Sequence, residues 1–120
     1  MAEEIGLEIT KEANTAIIAF KSPSMSDVDG IADASKKIKE FIDKDQPNRL
    51  LFDFERVKFF SSQVLGMLLD IRTKLEKYNG KVVISAINPQ LHRVFKITNL
   101  DRIFGFFPDR DSAVKATESD

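Results

Sequence analysis

The fold of this chain is decided by residues 50–71, which read LLFDFERVKFFSSQVLGMLLDI. The first five form a short apolar run, which is typical of a central strand covered on both faces. Beyond it, apolar residues recur every three or four positions, which predicts an amphipathic helix from about Ser62 to Tyr78, with Asn79–Gly80 as its stop. A buried strand that leads into such a helix is typical of α/β folds with parallel strands.

Upstream of this stretch, the sequence predicts two strands and a helix. Ile5–Ile9 alternates apolar and polar residues, and Ala16–Phe20 is almost continuously apolar, so the short connection between them predicts a hairpin. The loop Ser22–Asp27 ends in a serine and an aspartate, either of which can cap a helix. From Val28 to Ile42 one apolar face repeats every three or four residues, which predicts that helix.

Downstream, two further strands and two further helices are predicted. Lys81–Ala86 is rich in β-branched residues and is expected to be a buried strand. Asn88 is expected to cap the next helix, with Pro89 at its first position, where the missing N–H costs nothing. Phe104–Phe107 is expected to be the last short strand, and Pro108–Asp109 to open a final helix.

The predicted order is therefore β-β-α-β-α-β-α-β-α, an α/β fold. We expect a mixed sheet of about five strands with about four helices, in which the N-terminal hairpin supplies an antiparallel edge and the other strands are parallel. Residues 1–120 are expected to form a single domain with its core between about residues 5 and 116, because the length suits one hydrophobic core.

Composition narrows the functional classes. The formal net charge is −1, which argues against a nucleic-acid-binding module, and the chain contains no cysteine for disulfides or thiolate metal sites. No apolar run approaches the roughly 20 residues of a membrane span. The N-terminal Met1–Glu4 lacks the basic and apolar regions of a signal peptide. We therefore expect a cytoplasmic bacterial protein that binds neither membrane nor nucleic acid and is a monomer.

The residues that usually carry catalysis are scarce. The single histidine, His92, lies on a predicted helix, where surface histidines are common, and no cluster of histidines and carboxylates has metal-ligand spacing. The glycines are scattered and form no phosphate-binding loop. The expectation is a protein without enzymatic activity, catalytic residues, cofactor or metal.

The unusual feature is the turn Phe59-Phe60-Ser61-Ser62, where the buried strand passes into the helix. One interpretation is helix capping, in which Ser61 or Ser62 satisfies a free N–H group. The other is a regulated serine, because the dipole and free N–H groups of a helix start favour an added phosphate. The residues alone leave both interpretations open.

Several motifs in order resemble the STAS domain family, the anti-sigma factor antagonists of the SpoIIAA type and their relatives. The resemblance is carried by the strand–turn–helix at 50–68, by the strand at 80–84, and by three later blocks: NPQLHRVF at 88–95, ITNLDRIF at 97–104 and the helix at 109–116. It covers the chain from about Ile5 to Ala116.

This resemblance implies a phosphorylation switch in signal transduction and transcription regulation. In the family, a partner that is both serine kinase and anti-sigma factor, of the histidine-kinase-like ATPase type, binds the unphosphorylated form and phosphorylates a serine at the start of the second helix. A serine phosphatase resets the cycle. The acceptor corresponds to Ser62, with Asp53, Ser61 and Gln63 as its neighbourhood.

The same resemblance implies a protein-interaction surface at the start of the second helix and on the neighbouring loop. Its predicted partner-binding residues are Ser22, Ser24, Met25, Ser62, Val64 and Leu65. For Met25, exposure at this surface and burial in the core are equally compatible with the sequence.

The chain departs from the family pattern at the turn itself. Ser61 stands where the family has aspartate, Gln63 replaces its second serine or threonine, and Val64 replaces its glycine. Asn99 replaces a glycine later in the chain, and asparagine tolerates the left-handed conformation well. The alternatives to a phosphorylation switch are a STAS interaction module without phosphorylation, a subunit of a larger signalling or transport assembly, or a sensor of a small molecule or nucleotide.

Overall fold

The computed structural model describes residues 5–118, with side chains described for residues 5–116. The N-terminal residues 1–4 used in predicting localisation, and the last two residues of the predicted domain, lie outside this range. The strands are β1 Leu7–Glu12, β2 Thr15–Phe20, β3 Ser24–Met25, β4 Arg49–Asp53, β5 Phe59–Phe60, β6 Lys81–Ser85 and β7 Gly105–Phe107. The helices are α1 Val28–Asp45, α2 Ser62–Glu76, α3 Pro89–Ile97 and α4 Arg110–Glu118, with a 3-10 turn at Leu100–Arg102.

Five strands form the main sheet in the order β1-β2-β4-β6-β7. β1 and β2 are antiparallel, and every other neighbouring pair in this sheet is parallel. The predicted fold class is confirmed. β1 begins and ends later than predicted, and it carries the charged Lys11 and Glu12, which are well tolerated on an edge strand.

The two faces of the sheet are covered unequally. Leu50 and Phe52 of β4 join the large core beneath α1, α2 and α3, whereas Leu51 between them points the other way. Leu51 packs with Ala113 and Val114 of α4 in a smaller cluster. The apolar run in β4 is continuous because this strand is buried on both faces.

Three helix starts are capped by their own side chains. Asp27 accepts a hydrogen bond from the Gly30 amide at 2.7 Å, and Asn88 accepts one from the Leu91 amide at 2.9 Å. Asp109 accepts one from the Ser112 amide at 2.8 Å. These bonds satisfy N–H groups that have no partner inside the helix, so the predicted helix starts are confirmed.

The C-terminal end of α2 corrects one detail of the prediction. The helix ends at Glu76, and the left-handed residue after it is Asn79, with φ 64°. The Gly80 amide donates to the Leu75 carbonyl at 2.7 Å, and a Cβ at Gly80 would lie only 3.0 Å from Leu75 Cβ and from Tyr78 Cε2. Glycine is therefore needed at position 80 for close packing rather than for its φ.

Candidate functional site at the start of the second helix

A second, two-stranded sheet presents the start of α2. β3 and β5 pair in parallel, with Ser24 opposite Phe59 and Met25 opposite Phe60. The Ser61 amide continues this pairing by donating to the Met25 carbonyl at 3.0 Å. The loop Ser22–Asp27 is thereby joined to the turn before α2, as the predicted interaction surface requires.

Successive side chains of this small sheet point to opposite faces, so that one set is anchored in the core and the other is exposed. Phe60 is buried and its ring packs against Phe54 at 5.8 Å and against Phe95 at 6.0 Å between centroids. Phe59 and Ser24, which point the opposite way, are exposed. The aromatic contacts of Phe60 hold β5 on the core, while Phe59 before it faces solvent.

Ser62 is the first residue of α2, and it is exposed. Ser61 precedes it at the capping position with extended backbone, yet its side chain makes no capping hydrogen bond. The Ser61 Oγ is buried and has no hydrogen-bond partner within the described residues. Of the two interpretations of the turn, capping by Ser61 is not found in this structure, because its hydroxyl makes no hydrogen bond to the start of α2.

Gln63 joins the beginnings of α1 and α2. Its Nε2 donates to the Val28 carbonyl at 3.1 Å, so the first turn of α2 is tied to the first turn of α1. Gln63 was predicted to belong to the neighbourhood of Ser62, and in this conformation its side chain links the two helix starts.

Three predicted contact residues need correction. Met25 and Val64 are fully buried, and Leu65 is 8% exposed, so none of them offers a side chain to a partner in this conformation. Val64 and Leu65 lie on the side of α2 that packs on the core, and Met25 alternates inward on β3. The Ser22 Oγ accepts from the Gly6 amide at 2.9 Å and so fastens the chain before β1. Of the predicted contacts, Ser24 and Ser62 remain exposed.

Two exposed apolar residues were missed as contact residues. Val28 is 65% exposed and Phe59 is 54% exposed; Val28 was expected on the apolar face of α1, and Phe59 was assigned only to the turn before α2. Val28 starts α1, and its backbone is bonded to Gln63 next to Ser62; Phe59 lies three residues before Ser62 on β5. The sequence did not identify Phe59 as outward-facing, because a strand of two residues is too short to show alternation. We call Ser24, Val28, Phe59 and Ser62 the switch surface.

A family model described as the STAS domain matches residues 8–113 of the chain. The chain belongs to the STAS domain family. Among solved structures, this STAS domain resembles an anti-sigma factor antagonist from Mycobacterium paratuberculosis, with 24% identity, a TM-score of 0.81, and coverage of 94% of this chain and 93% of the other.

Two further STAS structures have the same architecture. An anti-sigma-factor antagonist domain protein from Planctomyces limnophilus is 19% identical, with a TM-score of 0.80 and coverage of 92% of this chain and 96% of the other. The Bacillus cell fate determinant SpoIIAA, in its phosphorylated form, is 19% identical, with a TM-score of 0.73 and coverage of 93% and 99%. At these identities the likeness shows a common fold.

Asp53, which was predicted to lie in the neighbourhood of Ser62, contacts α4 and the turn after β4. Its carboxylate is 3% exposed; Oδ2 accepts from Arg110 Nη2 at 2.8 Å and Nε at 3.1 Å, and Oδ1 accepts from the Glu55 amide at 3.0 Å. The hydrogen bond to Asp53 is the largest factor that raises the pKa of Arg110. Asp53 thus anchors α4 and the turn after β4.

The described part of the STAS domain contains neither a group of metal-ligating side chains nor a membrane-spanning helix. Among residues 5–118, no three histidine, aspartate or glutamate side chains are grouped as metal ligands. No helix within the same range is long and apolar enough to cross a bilayer. His92 stacks on Phe106 at 4.3 Å between ring centroids, which gives it a packing role on α3. Asn99, which replaces a glycine of the family pattern, has φ 62°, a left-handed conformation that asparagine tolerates well.

Proposed function

We propose that this STAS domain is a regulator of the anti-sigma factor antagonist type. In the unphosphorylated form it binds, through the switch surface, a partner that combines anti-sigma factor and serine kinase, of the histidine-kinase-like ATPase type. The partner phosphorylates Ser62 and binding is lost, until a serine phosphatase restores the hydroxyl. The observation that carries this proposal is an exposed serine at the first position of α2 beside exposed Val28 and Phe59.

The helix start is suited to an added phosphate. No side chain caps α2 among the residues described, and its first turn contains no acidic residue that would repel a phosphate. The positive end of the helix dipole and the free N–H groups favour negative charge there. A phosphate on Ser62 is therefore expected to leave the domain folded.

The same phosphate would change the binding properties of the switch surface. It adds nearly two negative charges and three acceptor oxygens between exposed apolar side chains. A partner that covers Val28 and Phe59 would have to remove water from these charges, which is costly unless they are paired. Loss of binding without loss of fold is the behaviour of a switch.

The proposal is also consistent with the solved relatives. The Mycobacterium and Planctomyces proteins are called anti-sigma factor antagonists, and the Bacillus protein of the same fold has a phosphorylated form. By transfer, we propose the same class of partner for this chain and a cytoplasmic location.

The test combines phosphorylation with binding. The full chain is incubated with the kinase-like anti-sigma factor encoded near it and with ATP, and the modified residue is located by mass spectrometry. We expect phosphate on Ser62, with none in Ser62→Ala, while Ser112→Ala, on α4 at the other face of the sheet, serves as the control and is still modified. In a binding titration, Ser62→Ala should bind the partner and Ser62→Asp should bind it weakly.

A constitutive interaction module is the second candidate. It is favoured by Ser61, which replaces the acidic residue that precedes the acceptor in the family pattern. This candidate predicts no phosphate on Ser62 and equal binding by Ser62→Ala and Ser62→Asp. That pair of results would rule out the phosphorylation switch while leaving the switch surface as a binding site, which Phe59→Ala would then test.

A further inference from the structure

The side chain of Asn88 makes hydrogen bonds in two directions. Its Oδ1 accepts from the Leu91 amide at 2.9 Å and caps α3. Its Nδ2 donates to the carbonyls of Val57 and Lys58, at 3.3 and 3.4 Å. One residue thus joins the start of α3 to the connection that leads into β5.

Capping alone does not explain an asparagine at this position. Serine and aspartate cap helices about as well as asparagine. Among these residues only asparagine combines an acceptor with an N–H₂ donor on the same side chain. The donor faces two carbonyl groups in the loop before the switch surface, so both halves of the amide are used.

The connection that Asn88 contacts is held from two sides. The amides of Lys58 and Phe59 donate to the Pro23 carbonyl at 2.8 and 3.1 Å, which fastens the connection to the loop before β3. The Nδ2 group of the Asn88 side chain contacts the connection from the side of α3. Only three residues lie between Lys58 and Ser62, so the direction of this connection determines where β5 and Ser62 are placed.

The backbone that positions Asn88 is itself constrained. Ala86 adopts a left-handed conformation with φ 56°, which is uncommon for a residue with a Cβ. Its amide donates to the Phe107 carbonyl of β7 at 3.0 Å, and Pro89 restricts the backbone after Asn88. The connection between β6 and α3 therefore presents the Asn88 amide from a fixed position.

We propose that Asn88 is a positioning residue for the switch surface: its Nδ2 holds the Val57 and Lys58 carbonyls so that β5 presents Phe59 and Ser62 to the partner. The part of this inference that concerns Ser62 rests on the proposed function. The part that concerns how firmly the connection and β5 are held in place does not depend on the proposed function.

The test uses Asn88→Asp, which keeps the capping oxygen and removes the donor. Amide hydrogen exchange is measured for Lys58, Phe59 and Ser61, whose N–H groups bind Pro23 and Met25. Losing one hydrogen bond of ordinary strength should accelerate this exchange about fivefold, with the Leu91 amide unchanged. Asn88→Ser, a shorter capping residue, should give a smaller acceleration in the same amides and replaces Asn88→Asp if that variant does not fold.

A matched control separates positioning from helix capping. Asp109→Asn alters the cap of α4, which has no side-chain hydrogen bond to the connection, and should leave exchange at Lys58 and Phe59 unchanged. If exchange at these amides is also unchanged in both Asn88 variants, the proposal is wrong. If exchange accelerates and the partner's kcat/KM for Ser62 falls by a similar factor, it is supported.

Failure of the proposed function would look different. In that case neither the native chain nor any variant would be phosphorylated on Ser62. Accelerated exchange at Lys58 and Phe59 in the Asn88 variants would still support positioning of β5 by Asn88.

Discussion

At the residue scale, the buried hydroxyl of Ser61 is the unusual group next to the switch surface. A buried hydroxyl without a partner loses its hydrogen bonds to water and gains none in return. The same position is occupied by a capping residue in the three other helices of the described chain. Ser61 therefore destabilises the helix start that it precedes, whereas a carboxylate there would stabilise it.

Replacing Ser61 by alanine should change stability in opposite directions, depending on whether its hydroxyl is buried without a partner or caps α2. Ser61→Ala should raise the free energy of unfolding by about 1 kcal/mol, since it removes an unsatisfied buried hydroxyl. If Ser61 capped α2 in solution, the same variant would instead lower it by about 1 kcal/mol. Urea denaturation followed by circular dichroism measures the difference, and Ser61→Asp, which restores the family residue, should be more stable than the native chain.

A second prediction concerns Ala86. Its left-handed conformation is unfavourable for a residue with a Cβ, so Ala86→Gly should stabilise the protein by about 0.5–1 kcal/mol after the greater flexibility of the unfolded chain is considered. The control is Ala32→Gly, on the exposed side of α1, which should lower stability by about 1 kcal/mol. Equal losses in both variants would contradict the left-handed assignment. The readout is again the urea midpoint.

At the element scale, α4 is attached to the sheet by a small apolar cluster and by the ion pair of Arg110 with Asp53. Removing one partner of such a pair leaves a charge in a site shielded from water. Arg110→Met, which keeps the aliphatic stem, should therefore destabilise the fold by about 2–3 kcal/mol, as measured by urea denaturation.

The matched control for this prediction is Arg93→Met, on the exposed side of α3, which should change stability by less than about 0.5 kcal/mol. Amide exchange in α4 should accelerate more in Arg110→Met than exchange in α1 does. A variant as stable as the native protein would show that α4 is held by its apolar contacts alone.

At the scale of the whole molecule, stability should fall in alkaline solution because of Tyr78. Its hydroxyl donates to the Pro47 carbonyl at 2.9 Å, and burial, followed by Asp45 and Asp43, raises its pKa above 10.0. The folded protein thus holds this proton more tightly than the unfolded chain does. The stabilisation is complete below about pH 10 and is lost as the pH rises through the higher pKa of the folded state.

Tyr78→Phe isolates this effect. The native protein should lose more stability than the variant as the pH rises above 10, because only the native protein has the tyrosine hydroxyl. The chain has one tyrosine and no tryptophan, so tyrosinate absorbance reports the titration of Tyr78 directly. An unshifted tyrosinate titration, or identical pH profiles for the two proteins, would contradict the prediction.

The fold could be predicted from the sequence where local signals decide. The caps Asp27 and Asn88 act within three residues of themselves, and periodicity identified the five strands of the main sheet and the four helices. The β3–β5 pairing could not be predicted in this way, since two residues are too few to show alternation and their partners are distant in the chain.

The exposure of the predicted site residues could be read from the sequence only in part. Ser62 is exposed as expected, whereas Met25 and Val64 are buried because apolar residues at a surface and in a core look alike in one sequence. Val28 follows the apolar periodicity of α1, yet it lies in the first turn, beyond the area that the sheet covers. The second role of Asn88 depends on a carbonyl pair 30 residues away and has no local signal.

The small β3–β5 sheet has a consequence for the order of folding. Its two residue pairs join segments that are distant in sequence, and so few hydrogen bonds cannot compensate for the entropy of closing such a long loop. It should therefore form only after β2 and β4 have paired and brought its two segments together. The switch surface would then be completed last during folding and would open first during partial unfolding, so that the proposed partner would bind only molecules whose folding is finished.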